Sequence, residues 1–254
     1  MDVDNLTVFI TGGGSGLGVG AAKIFHAAGA KVAVADINSE GAKLTAEAVG
    51  GIAVDCDVTS PASVEEAIRV VTAELGVPRV CINCAGIAVG ERIVGREGPM
   101  LLDSFSKVIN INLIGSFNVM RVAAAAMIAA EPLDDVGERG LIINTASVAA
   151  FDGQIGQSAY SASKGGIVAL TLPAAREFSQ FGVRVMTIAP GIMGTPMLGS
   201  MPQEVQDSLA RMVPFPKRLG APAEYGKLAL HLAENQLMNG EVIRLDGAIR
   251  MAPK

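Results

Sequence analysis

The chain has 254 residues, a formal net charge of −5, 50% hydrophobic and 18% charged residues. That length accommodates one large domain or two small ones around a sizeable core, and the composition excludes a disordered chain. The acidic balance, without a basic stripe, argues against nucleic acid as the main partner. The longest small-apolar stretch, 122–130, falls short of the roughly 20 residues that cross a bilayer, so no membrane partner is expected.

In chain order, an apolar strand at 6–11 comes first, within a dozen residues of the start. No signal or transit peptide is expected there, and a cytoplasmic protein follows. Thr11-Gly12-Gly13-Gly14-Ser15-Gly16-Leu17-Gly18 links this strand to a helix near 17–28. Strand 31–36 ends in Asp36, and a helix follows near 39–49. Strand 51–58 carries Asp57 and Val58 at its end, and Thr59-Ser60-Pro61 is a helix start for 62–75, with a capping hydroxyl before a first-turn proline. Strand 77–83 is followed by a polar, glycine-bearing loop at 90–102 and a long helix near 104–130. Strand 140–147 leads to a helix at 158–180, then strand 183–189 and a Met- and Pro-rich segment at 191–220. A helix near 223–234 and a strand at 241–245 complete the pattern.

The strands are near-continuous in Val, Ile, Ala and Leu, as parallel strands covered on both faces require. Their alternation with helices predicts one α/β domain over 1–254, a Rossmann fold whose doubly wound, seven-stranded parallel sheet has helices on both faces. In this architecture loops at the carboxyl ends of strands build the ligand crevice, which makes 90–102 and 191–220 candidate substrate loops.

The three cysteines, an odd number, read as reduced thiols of an intracellular protein. Cys81-x-x-Cys84 has a redox or zinc spacing, but at a strand end positions i and i+3 point to opposite faces, and no metal site is expected. His26 and His231 alone supply a Ser-His-Asp hydrolase or a His-ligated zinc enzyme poorly.

Chemistry concentrates in Ser147 and in Tyr160-x-x-x-Lys164. On a helix the i, i+4 pair shares one face, about 6 Å apart along the axis. An ammonium beside a phenol favours the phenolate and moves it toward the range of a general acid/base. A serine hydroxyl reaching the same substrate oxygen would complete a site for moving a proton to or from an alcohol. The glycine-rich turn lets a backbone approach a pyrophosphate at a helix N-terminus, and the absence of a following Gly-Lys-Ser/Thr excludes a P-loop. Asp36 can accept hydrogen bonds from a ribose and would repel a 2′-phosphate, so NAD is expected rather than NADP; Ser15, where a basic residue would favour NADP, agrees.

Taken as a set, the motifs Thr-Gly-x-x-x-Gly-x-Gly (11–18), Asn83-Cys84-Ala85-Gly86, Asn112, Ser147, Tyr160-x-x-x-Lys164 and Pro190-Gly191 resemble the short-chain dehydrogenase/reductase family along essentially the whole chain. The resemblance implies that Tyr160 is the general acid/base and that Lys164 lowers its pKa and holds the nicotinamide ribose. It further implies that Ser147 orients the substrate oxygen, Asn112 supports a proton-relay water and Thr195 helps hold the nicotinamide amide. Segments 143–154, 213–220 and 239–251 resemble the 3-hydroxyacyl-CoA dehydrogenase branch, whose reaction interconverts (S)-3-hydroxyacyl-CoA and the 3-oxo thioester with hydride transfer to NAD. A hydroxysteroid or other secondary-alcohol dehydrogenase is the alternative, and a non-catalytic scaffold subunit a remote one. The implied partners are an acyl-CoA or similar hydrophobic alcohol or ketone, with Arg92 and Arg96 candidates for the CoA phosphates and Met193, Met197, Met201 and Met212 for an apolar lid. A homotetramer is implied, built through helices 104–130 and 158–180, where the alanines at 123–126 would allow close approach.

Overall fold

The computed structural model describes residues 1–199 and 202–253. Along the chain the strands are β1 (Thr7–Thr11), β2 (Lys31–Asp36), β3 (Ile52–Asp55), β4 (Pro78–Asn83), β5 (Val94–Gly95), β6 (Gly98–Pro99), β7 (Gly140–Thr145), β8 (Val183–Pro190) and β9 (Val242–Leu245). The helices are α1 (Gly16–Ala27), α2 (Ser39–Ala48), α3 (Pro61–Leu75), α4 (Leu102–Ile109), α5 (Ser116–Ala129), α6 (Ser158–Ser179), α7 (Pro196–Gly199), α8 (Gln203–Met212) and α9 (Pro222–Glu234). β5 and β6 form a small antiparallel hairpin; the other seven strands pair in parallel in the order β3-β2-β1-β4-β7-β8-β9.

Every position of β7 and β8 is buried, the consequence of an apolar run covered on both faces. One core lies between the sheet and α1, α2 and α9, with Phe25, Ala42 and Leu232 among its members. The other lies beneath α3, α5 and α6, with Val64, Met120 and Ala175. Cys81 belongs to the second core while Cys84 packs against the first, so the two thiols do face opposite sides of the sheet. α1 and α9 cross closely at Gly20, where a Cβ would stand 2.3 Å from the Pro222 carbonyl oxygen. Any side chain there would push the helices apart, at a cost of about 1–3 kcal/mol.

Three expectations are corrected. β3 stops at Asp55 instead of 58, because it is an edge strand whose only partner, β2, ends at the paired Asp36. The helix expected over 104–130 is two α-helices joined by a π-helical turn at Asn110–Gly115, a wider turn that leaves the apolar pattern uninterrupted. The continuous run Leu102–Ala129 is long and apolar enough to cross a membrane by length and composition, yet half of its most apolar 18-residue window is buried inside this fold. Finally, 191–220 carries helices α7 and α8.

Candidate active site

A cleft of about 1370 Å³ opens at the carboxyl ends of the strands, where the strand order reverses between β1 and β4. One end is built by the glycine-rich turn. Gly12 has φ +64°, and a Cβ on it would stand 2.6 Å from the Ala85 nitrogen, so only glycine lets this turn lie against the segment after β4. Cys84, Ala85 and Gly86 of that segment line the cleft, with the Cys84 N–H donating to the Thr11 carbonyl. Ser15 precedes α1 without making a side-chain cap bond, and no acidic residue occupies the first turn. Gly16, Leu17 and Gly18 therefore present a helix N-terminus suited to an anionic group.

Asp36 stands at the rim of the cleft. One carboxylate oxygen accepts from the Gly14 N–H and the other from the Asn38 N–H, each at 2.9 Å. A carboxylate has about four acceptor positions, so capacity remains for a diol. Asp57 and Val58 line the same end, in the turn beyond β3, where Asp57 accepts from both the N–H and the hydroxyl of Thr59. Pro190, Gly191 and Thr195 border the opposite side, with Thr195 over Gly16.

Ser147, Tyr160 and Lys164 meet on one wall. Ser147 follows β7 and accepts from the Ala149 N–H at 3.1 Å, which fixes its turn. Tyr160 and Lys164 share a face of α6, with Nζ 5.8 Å from the phenol ring centroid. Lys164 is buried, its Nζ donating to the Thr145 carbonyl oxygen at 2.7 Å, and burial lowers its pKa to about 8. The expected depression of the phenol is corrected: burial pushes Tyr160 above its ordinary value, against a lowering by its hydrogen bond with Ser147. Desolvation of the phenolate outweighs the help that Ser147 gives it.

Two sequence candidates do not reach the cleft. Asn83 is buried inside the sheet, where its Nδ2 donates to Asn144 Oδ1 at 2.9 Å. Asn112 lies in the π-helical turn with its side chain held by three hydrogen bonds: Oδ1 accepts from the Ile87 N–H, and Nδ2 donates to the Ile87 carbonyl and to Ser163 Oγ. Ser163 in turn donates to the Tyr160 carbonyl oxygen at 2.7 Å. Asn112 thus ties the cleft wall after β4 to the start of α6.

The loop at 90–102 also differs from expectation. Arg92 fronts a separate small recess beside Ile93, Val94 and Ile155, and Arg96 is exposed beside the hairpin. Of the methionines, Met193 lines the cleft; Met201 and the side chain of Met197 lie outside the described residues. The apolar end owes more to residues the sequence did not single out: Leu198, Val205 and Leu209, with Met251 from the C-terminal segment. The i, i+4 spacing of Val205 and Leu209 was the available signal.

Comparison with known proteins agrees with this geometry. The sequence model for short chain dehydrogenases matches residues 6–206. The human 3-hydroxyacyl-CoA dehydrogenase type-2 is 50% identical over 99% of this chain and 97% of its own, and the Drosophila melanogaster protein of that name 47% identical over 99% and 100%. A crystal structure of 3-hydroxyacyl-CoA dehydrogenase type-2 from Mycobacterium avium superposes with a TM-score of 0.92, at 43% identity over 98% of both chains. An oxidoreductase similar along its length to those enzymes, this chain belongs to the short-chain dehydrogenase/reductase family.

Proposed function

We propose that the protein interconverts (S)-3-hydroxyacyl-CoA and 3-oxoacyl-CoA using NAD. The observation that carries the reading is the convergence of Ser147, Tyr160 and Lys164 on one wall of the cleft that Asp36 and the glycine-rich turn border at its other end. The residues fit the dinucleotide: the α1 N-terminus for its pyrophosphate, Asp36 for the adenosine ribose, and Lys164 and Thr195 toward the nicotinamide end. The carboxylate at Asp36 supports NAD over NADP. When bound, this cofactor supplies the hydride acceptor and donor.

The chain's own groups do the rest. Tyr160 Oη takes the substrate hydroxyl proton in oxidation and returns it in reduction, while Ser147 Oγ holds the same oxygen. The Lys164 ammonium favours the phenolate against the burial that opposes it. Met193, Leu198, Val205, Leu209 and Met251 form an apolar surface for an acyl chain.

Tyr160→Phe tests the mechanism: turnover of acetoacetyl-CoA with NADH should fall by at least about 10²-fold while NADH binding persists. Retained turnover would refute the assignment. The same apolar surface also suits a hydroxysteroid, and comparing kcat/KM for acetoacetyl-CoA and steroid ketones separates the two substrates. We also propose a homotetramer, with exposed Ile114 and Phe117 of the long helical run and Leu172 of α6 in its contacts. Ala123 and Ala124 are excluded from that contact, being buried in the protein's own core.

A further inference from the structure

The chemistry proposed above leaves a fully buried phenol unused. Tyr225 of α9 has its ring in the first core, and its Oη lies 2.7 Å from Thr145 Oγ1. Cys84 Sγ completes a triangle, 3.6 Å from Tyr225 Oη and 3.7 Å from Thr145 Oγ1. Thr145 donates to the sulfur and Cys84 donates to Tyr225, so the Tyr225 hydroxyl donates back to Thr145. Each hydrogen of this closed ring is used once. Burial pushes both the phenol and the Cys84 thiol up, which keeps those hydrogens in place at neutral pH.

Thr145 is the last residue of β7, and it works in two directions. Its main-chain carbonyl accepts the Lys164 ammonium at 2.7 Å, while its hydroxyl is held by Tyr225 and Cys84. A β-branched side chain fixed at Oγ1 has a fixed χ1, and in a packed strand end this fixes the peptide behind it. We infer that Tyr225 is a positioning residue: through Thr145 it holds the carbonyl that keeps the Lys164 ammonium beside the Tyr160 phenol. The inference rests on the role proposed for Lys164.

Losing that carbonyl would remove an acceptor from a buried ammonium, so Lys164 would release its proton at lower pH. The titratable groups facing it are Tyr160 on its own helix, Cys84 at the end of β4 and, behind Thr145, Tyr225 of α9. In the reductive direction, where the ammonium and the protonated phenol are both needed, activity would be lost earlier on the alkaline side.

The experiment is steady-state reduction of acetoacetyl-CoA by NADH across pH for Tyr225→Phe, Thr145→Val, the double variant and Tyr160→Phe. Tyr225→Phe keeps the ring and removes both hydrogen bonds of its hydroxyl, of which only the one to Thr145 bears on Lys164, so kcat should fall about three- to tenfold. Its alkaline limb should move down by up to about one pH unit, with KM for acetoacetyl-CoA little changed. Thr145→Val should do the same, and the double variant no more than either single one, because both act on Lys164 through the bond that Thr145 and Tyr225 share. A wild-type kcat and alkaline limb in Tyr225→Phe and Thr145→Val, whatever their melting temperatures, would overturn the inference, as would losses that add in the double variant. An active Tyr160→Phe would instead overturn the reading of the site on which the inference rests.

Discussion

Replacing Lys164 with methionine should stabilise the folded protein while ending its activity. Lys164 is buried, and its pKa falls from 10.5 to about 8, chiefly by desolvation of the ammonium. Between those two values the unfolded chain holds a proton that the folded chain has released, so stability rises with pH through that window. Below about pH 8 both states are protonated and the full penalty of burying the charge is present. A depression of this size corresponds to about 3 kcal/mol at neutral pH. Methionine removes the charge with little change of volume, but it leaves the Thr145 carbonyl oxygen without the donor now 2.7 Å away. That loss returns about 1 kcal/mol, so the net gain at pH 6.5 is about 2 kcal/mol. By pH 9.5 the remaining penalty in the wild type is only about 1 kcal/mol and the advantage disappears. Equilibrium urea unfolding of both proteins at the two pH values, without added cofactor, measures the difference. A variant less stable than wild type at pH 6.5, or a difference that does not change with pH, would refute the reasoning.

Two further outcomes follow from the same geometry. Asp36→Asn keeps the shape of the side chain while removing its charge, and should raise KM for NADH about tenfold or more and narrow the preference over NADPH, read by steady-state kinetics with each cofactor. Arg184 is buried, donates to Glu138 at 2.8 Å and also to the carbonyl oxygens of Leu232, Ala233 and Met238. Arg184→Met leaves Glu138 with the Met1 ammonium at 3.2 Å as its remaining cation and strips the donor from three carbonyls, and it should cost about 3–5 kcal/mol in urea unfolding, with kcat of the folded fraction retained.

The sheet was legible because parallel strands covered on both faces have to be apolar throughout, and β7 and β8 are. Signals that depend on partners were weaker. The end of β3 is set by where β2 stops, which no local pattern in 51–58 expresses. The π-helical turn at Asn110–Gly115 adds one residue to a helical run whose residues stay largely apolar, so the sequence pattern passes through it. α8 has no buried residue and offers only the pair Val205 and Leu209 to the cleft, too faint a stripe to distinguish it from a loop. The hairpin of β5 and β6 has two residues per strand, below any readable alternation.

At the site, local spacing placed side chains well and their environments poorly. The four-residue step from Tyr160 to Lys164 does put both on one face of α6, since helix geometry fixes that. What the spacing cannot carry is desolvation, which depends on groups distant in the chain: the Thr145 carbonyl, the Cys84 thiol and the core beneath Tyr225. Burial acts on the two partners in opposite directions, lifting the phenol and lowering the ammonium, so in each case it favours the uncharged form. An isolated Tyr-x-x-x-Lys would therefore lose much of its usefulness as it became buried. Holding Lys164 charged takes an acceptor that cannot drift away, and the Thr145 carbonyl meets that need because it belongs to the strand end and not to a side chain. The physical demand made by a buried catalytic lysine is thus met outside the motif that contains it, in a residue whose own hydroxyl is anchored by α9.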